Sequence, residues 1–257
     1  MKYAVEDTRM TAIANAVRAK TGKTNTMTVD EIPAEVAAVY DKGVKDTVAN
    51  FWEMTSKGGT RTDWLYLFAH SKLKREFFEY PITIKGQNMY CLMYISDAGD
   101  LIDLVDCEKN YGFKIDFSEA TNTANAFQHA KVSRIGVVDL RKANNAYLMF
   151  ACGNYTDWLT SVEKIISHEN LDFSNAFNYR SALTHVIFEG IIGKNGLNLS
   201  QSPNLDHESL LSIVNCLKDY SADTSGTTWK VTLGTANLAK LTAEEKATAT
   251  GKGWTLV

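Results

Sequence analysis

From Thr8 to Lys20, Met10, Ile13, Ala14 and Val17 recur at helical spacing on one face, with Asp7 or Thr8 as N-cap and Gly22 as the stop. A second helix is predicted from Thr28, where Thr28-Val29-Asp30-Glu31 reads as a capping box and Ile32, Val36, Val39 and Tyr40 form an apolar stripe before Gly43. Pro33 is tolerated only near a helix start, which makes Asp30 the alternative first residue. Two helices of about three turns each cannot bury both stripes against one another. Ile13, Val17, Ile32, Val36 and Val39 are therefore the candidate assembly residues.

Further along, a different pattern recurs. "KIDFSEA" from Lys114, "VDLRKA" from Val138, "LDFSNA" from Leu171, "LNLSQS" from Leu197 and "VTLGTA" from Val231 each place one polar residue between two apolar ones, with small or polar residues after them. "ITIKGQ" from Ile82 and "WTLV" from Trp254 are weaker copies, and the seven starts, at 82, 115, 138, 171, 197, 231 and 254, are spaced by 33, 23, 33, 26, 34 and 23. Such intervals fit a solenoid in which each repeat supplies one short strand and a connecting helix or turn. Between the triplets, "NTANAF" ending at Phe127, "NNAYLMF" ending at Phe150 and "HESLLSIVNCL" ending at Leu217 supply residues for the packing side. An antiparallel α+β domain with coincidental triplets is the alternative.

At the end of the chain, "TTWKVTLG" and "GWTLV" bracket the capping box Thr242-Ala243-Glu244-Glu245 and a helical run to Gly251. This predicts a parallel strand-helix-strand cap, with Trp229 and Trp254 large enough to cover an open core end. The expected fold class is α+β (repeat α/β): an N-terminal helical pair over 1–45, an irregular leucine-rich-repeat-like body with parallel short strands over 46–220, and a C-terminal cap over 221–257.

The polar centres of the triplets, Thr83, Asp116, Asp139, Asp172, Asn198, Thr232 and Thr255, are the candidate binding face. Stacked in register, they would share one side of a sheet with adjacent rungs about 4.8 Å apart. Asp116, Asp139 and Asp172 would then repel, so the face is either hydrated or offset by basic neighbours or a ligand. A merely solvated outer face is the competing reading.

Composition narrows the chemistry. The 257 residues carry a net charge of -3, with a pI near 6.0, which gives no electrostatic footprint for nucleic acid. No run approaches the ~18 apolar residues of a membrane span. The opening MKYAVEDTRM has no apolar core of a signal peptide, so synthesis and folding in the cytoplasm are expected. Cys91, Cys107, Cys152 and Cys216 have neither zinc-site nor redox-motif spacing and read as free, mostly buried thiols.

Gly22-Lys23-Thr24 matches the end of a phosphate loop, but Val17 stands where the first glycine should be, and the tripeptide follows a helix. No cofactor is expected. Asp206-His207-Glu208 opens an apolar run and reads as a helix start rather than a catalytic group. Asp97, Asp100, Asp103 and Asp106 recur every third residue, unlike the alternating ligands of a calcium loop, and His70 and His129 lack further ligands at metal spacing, so no metal is expected.

Function enters through a resemblance. "MTAIANAVRAKTGKTNTMTVDEIPAEVAAV", residues 10 to 39, resembles a segment that opens many tail-associated proteins of bacteriophages and prophages of Gram-positive bacteria. The irregular Leu-Asp-Leu-Ser triplets with terminal Phe positions resemble the leucine-rich coils of bacterial surface adhesins and phage tail proteins, and residues 198 to 257 are similar to the closing segment of such phage-borne chains. The resemblance implies a non-enzymatic virion protein of the tail tip, fibre or baseplate, homo-oligomeric in the particle. Its N-terminal helices would bind other tail proteins, and its body would recognise a host-surface glycan or protein. A purely architectural tail subunit and a glycan-cleaving tail enzyme are the alternatives.

Overall fold

The computed structural model describes residues 64, 66–69, 72, 74–94, 99–153 and 157–257, all within the unit Gly58–Val257. The helical pair expected over 1–45, with its assembly candidates Ile13, Val17, Ile32, Val36 and Val39, lies outside the described residues.

The chain is mixed α and β with parallel sheets. Along it run a 3-10 turn (Arg75–Phe78), β1 (Thr83–Lys85), β2 (Ile102–Asp103), α1 (Leu104–Tyr111), β3 (Lys114–Asp116), β4 (Val132–Asp139), β5 (Ser161–Ser167) and β6 (His185–Gly190). Then come α2 (His207–Cys216), β7 (Trp229–Val231), α3 (Thr235–Leu238), α4 (Ala243–Gly251) and β8 (Trp254–Leu256). β2, β4, β5 and β6 form one parallel sheet in that order, while β1 pairs with β3 and β7 with β8, also in parallel.

A second parallel ladder runs through turns rather than strands. The amides of Trp64, Met89, Thr123 and Ala146 donate to the carbonyls of Asn88, Asn122, Asn145 and Asp172 at 2.9, 2.9, 3.2 and 3.1 Å. Two residues on, Tyr66, Cys91 and Asn125 donate to Tyr90, Ala124 and Tyr147 at 3.3, 3.0 and 3.0 Å. Two further on, Phe68, Met93, Phe127 and Phe150 donate to Leu92, Ala126, Met149 and Ala176 at 2.8, 2.7, 2.8 and 2.9 Å. Each turn of chain thus satisfies the backbone of the one before it. Tyr66, Cys91, Asn125, Leu148 and Asn175 all sit in the left-handed region at the equivalent place, with φ of 54, 51, 58, 53 and 58°. Asn accepts that conformation readily, whereas Tyr, Cys and Leu do so at a cost of about 1–2 kcal/mol, held by the ladder on either side.

The core lies between the two ladders. Phe68, Met93, Phe127, Phe150 and Phe177 are all buried and occupy matching positions in successive turns. Phe127 and Phe150 stack at 6.0 Å and 7°, Phe150 and Phe177 at 5.1 Å and 20°.

The expected C-terminal unit is present: β7 and β8 pair in parallel with α4 between them. Thr242 Oγ1 accepts from the Glu245 amide at 3.2 Å while Glu245 Oε2 accepts from the Thr242 amide at 2.8 Å, the reciprocal capping box. Trp254 is fully buried and its indole N–H donates to the Lys218 carbonyl at 2.7 Å.

Candidate functional site

The triplet centres were expected to form one in-register face, and the register differs. Thr83 faces Lys114, and it is Lys85 that faces Asp116. Asp139 pairs with Ile166, whereas Asp172 pairs with Asn145 outside any named strand. Thr255 faces Lys230 rather than Thr232, although Asn198 and Thr232 do pair. Asp116, Asp139 and Asp172 are therefore not three neighbouring rungs of one sheet. "LDFSNA" and "LNLSQS" do not form strands: only isolated bridges occur there.

The reason lies in what the polar centres do. Asp116, Asp139, Asp172 and Asn198 each use Oδ1 to accept the amide two residues ahead, from Ser118, Arg141, Ser174 and Ser200 at 2.9, 3.1, 2.8 and 3.0 Å. These are Asx turns, in which the side chain imitates a backbone carbonyl and bends the chain out of an extended path. The Asp-x-Ser and Asn-x-Ser spacing was visible in the sequence, where it signals a turn as well as a strand face.

Their charges are met within the chain. Burial pushes the Asp116 carboxyl up, but hydrogen bonds from Ser118 and the Lys85 ammonium at 3.3 Å outweigh it and hold the group below the usual range. Asp139 is held low first by Arg141, whose guanidinium sits at 2.6 Å. Asp116 and Asp139 are close enough that the field of the first opposes ionisation of the second.

The other clusters also resolve into local roles. Asp206 caps α2 by accepting from the Ser209 amide at 2.8 Å, and its other oxygen meets His185 Nδ1 at 2.7 Å. Ser209 Oγ donates to the same carboxylate, which therefore lies between imidazole and hydroxyl. His207 pairs with Glu245 at 2.9 Å, bracing α2 on α4. In the Asp series, Asp97 lies outside the described residues. Asp100 accepts from the Arg75 amide, Asp103 caps α1 and pairs with Arg134, and Asp106 pairs with Arg75. Among the described residues no group of three or more His, Cys, Asp or Glu side chains is placed to hold a metal ion. None of the four cysteines forms a disulfide, and burial pushes the Cys107 thiol up to about 11.

The turn ladder, by contrast, presents a surface on which the sequence reading placed no function. Asn88, Asn122 and Asn145 occupy three successive rungs, each closing an Asx turn onto the amides of Tyr90, Ala124 and Tyr147 at 3.3, 3.3 and 2.8 Å. Tyr66, Tyr147 and Tyr179 are among the most exposed large apolar side chains, at 51, 42 and 52%. The signal was present in "NTANAF" and "NNAYLMF", which the sequence assigns as a whole to the packing side, although their leading Asn residues close turns.

Family models, curated protein sequences and solved structures give no match to this chain.

Proposed function

We propose that this chain is a phage tail protein whose body is an irregular leucine-rich-repeat-like solenoid acting, without catalysis, in recognition of a bacterial surface. The observation that carries the body's part is the pair of parallel ladders, in which each turn of chain hydrogen-bonds to the next over a buried column of Phe68, Met93, Phe127, Phe150 and Phe177. A stack of this kind exposes long side surfaces relative to its core, the geometry used by binding modules. The tail assignment rests on the likeness of residues 10 to 39 to tail-associated proteins, with the N-terminal helices docking on other tail components and the protein present in several copies. The architectural reading shares this anchor and differs in having only virion partners.

Particles assembled with a chain lacking residues 1–45 provide the test. The expected result is loss of the protein from particles while the truncated chain stays folded and still adsorbs to purified walls of Gram-positive bacteria. Normal incorporation would remove the attachment role. Incorporation of the full chain without wall adsorption would leave the architectural reading in its place.

A further inference from the structure

On its sheet side the body is interrupted between β3 and β4. β3 pairs with β1 alone, while β4 lies in a separate sheet with β2, β5 and β6, so no strand pairing joins β3 to β4. On the turn side the same two turns of chain stay in register. Asn122 bridges Asn145, and the amides of Thr123, Asn125 and Phe127 donate to Asn145, Tyr147 and Met149 at 3.2, 3.0 and 2.8 Å. The two turns thus meet on one side and part on the other.

The parted edges match. Because Lys114 donates to Ile82 across the β1 pairing, alternation along β3 turns the backbone N–H and C=O of Ile115, and the N–H of Phe117, away from β1. Because Leu140 donates to Ile166 across the β5 pairing, the same alternation turns the backbone groups of Val137 and Asp139 away from β5. A narrow crevice lies between, with Ile115 and Phe117 on one wall and Ile135 and Val137 on the other. β2 occupies the edge of β4 only at Val132 and Arg134. Opposing Ile115 to Val138, an interval of 23 residues, would set the remaining groups donor to acceptor: Ile115 N–H to Val137 C=O, Asp139 N–H to Ile115 C=O and Phe117 N–H to Asp139 C=O. A slip of one residue would oppose groups already turned to β1 or β5.

α1 holds the edges apart. Glu108 lies against β4 at Gly136, where an added Cβ would come within 3.4 Å of its Oε2, and its Oε1 is 3.7 Å from Lys114 Nζ. Gly112, left-handed at φ 73°, joins α1 to β3 and lets the chain turn there. Like charge also opposes closure, since Asp116 and Asp139 would become direct partners across the seam.

We propose that this seam is a hinge with a second, closed state, in which β1 and β3 swing together on the turn ladder until β3 pairs with β4, Ile115 opposite Val138. Closing consumes the crevice, shifts Glu108 off Gly136 and joins β1, β3, β4, β5 and β6 into one continuous face. The hinge stands on backbone geometry and is independent of the tail reading.

The test uses the full chain. Lys114 and Val137 are exposed and become direct partners in the closed register, about 4.8 Å apart, within reach of a disulfide. Lys114→Cys/Val137→Cys is oxidised under native conditions, the link is located by peptide mapping, and amide exchange is read by NMR at Ile115, Phe117 and Asp139. The disulfide should form, and the three amides should exchange about tenfold or more slowly in the oxidised than in the reduced form. Asp116→Asn/Asp139→Asn should slow the same three without any cross-link, because it removes the repulsion while Asn still closes such a turn, as at Asn198. The amides of Thr123 and Phe127, on the pivot, should not change. Failure of the link to form, or equal exchange of the three amides in the parent, cross-linked and Asn chains, would overturn the hinge. Slowing of Thr123 and Phe127 to the same degree would overturn it too, since that reports a general gain in stability rather than closure of one seam.

Discussion

Arg180 is one of the largest fully buried side chains, and its charge is met within the chain. Its Nη1 pairs with Asp157 at 2.6 Å, Nε donates to the Phe150 carbonyl and Nη2 to that of Ala151 at 3.4 Å, while Asp157 also accepts from the Ala182 amide at 2.7 Å. The pair therefore ties together three segments that share no sequence motif. Asp157→Ala would strand a buried guanidinium, a change that costs about 3–5 kcal/mol in comparable settings. Adding Arg180→Met removes the stranded charge, so the double variant should recover part of that loss. Urea unfolding of the parent, the single and the double variants measures this; a single variant within about 1 kcal/mol of the parent would place the pair with weak surface bridges instead. Nothing in the sequence announced it, since a buried Arg differs from an exposed one only in partners that folding brings together. The Asx residues were better marked: Asp116, Asp172 and Asn198 were all singled out, but assigned to a strand face where they close turns.

Among the elements, capped helices were the most legible. Asp206 before α2 and Thr242 before α4 are the expected caps, because capping depends on residues within one turn. The long strands β5 and β6 were missed, along with the first part of β4. In β4 the buried residues are Val132, Ile135 and Val138, a step of three across Gly136 instead of the two of a flat strand, so period-two alternation could not reveal it. The end of this sheet shows how an open edge is closed. α2 packs against β6, and there Ser209 and Ser212 accept from the amides of Val186 and Phe188 at 2.9 and 3.0 Å, with Cys216 Sγ donating to the Phe188 carbonyl. A helix thus serves as the next strand would, satisfying the edge and covering it from other chains. Ser209→Ala leaves the buried Val186 amide without its acceptor and should destabilise by about 1–3 kcal/mol. The double variant Ser209→Ala/Ser212→Ala should in addition self-associate, visible as concentration-dependent sedimentation. A monomeric double variant of parental stability would show that packing of Leu210, Ile213 and Val214 closes the edge by itself.

Over the whole described chain, the parallel pairing and the C-terminal strand-helix-strand unit were legible, because the apolar-polar-apolar triplets recur along the sequence and the Thr242–Glu245 capping box depends on residues within one turn. The exact register was not, since intervals of 23 to 34 residues let a triplet slide by several positions without disturbing its pattern. The positions that do keep register are the buried ones: Phe127 and Phe150 were marked as ends of matching strings, and Phe68, Met93 and Phe177 complete the column. Phe150 sits at its centre, fully buried, stacked on Phe127 on one side and Phe177 on the other, with its backbone carbonyl held by Arg180. Phe150→Ala should cost about 3–5 kcal/mol, the loss of burial plus the cavity that rigid neighbours cannot close. Its effect on cooperativity is more informative than its size. In a linear stack each layer touches only its neighbours, so a break at the centre should uncouple the two ends. The cluster of Tyr220, Trp229 and Trp254, with Tyr220 and Trp229 stacked at 3.9 Å, reports on the C-terminal end through indole fluorescence, once Trp52, Trp64 and Trp158 are replaced by Phe. In that background the Phe150→Ala chain should lose far-ultraviolet ellipticity at a lower urea concentration than it loses the indole signal, whereas the Phe150 parent should lose both together. Coincident transitions in the variant would mean that the two ends depend on one another as in a single compact core, and would count against the layered reading of the body.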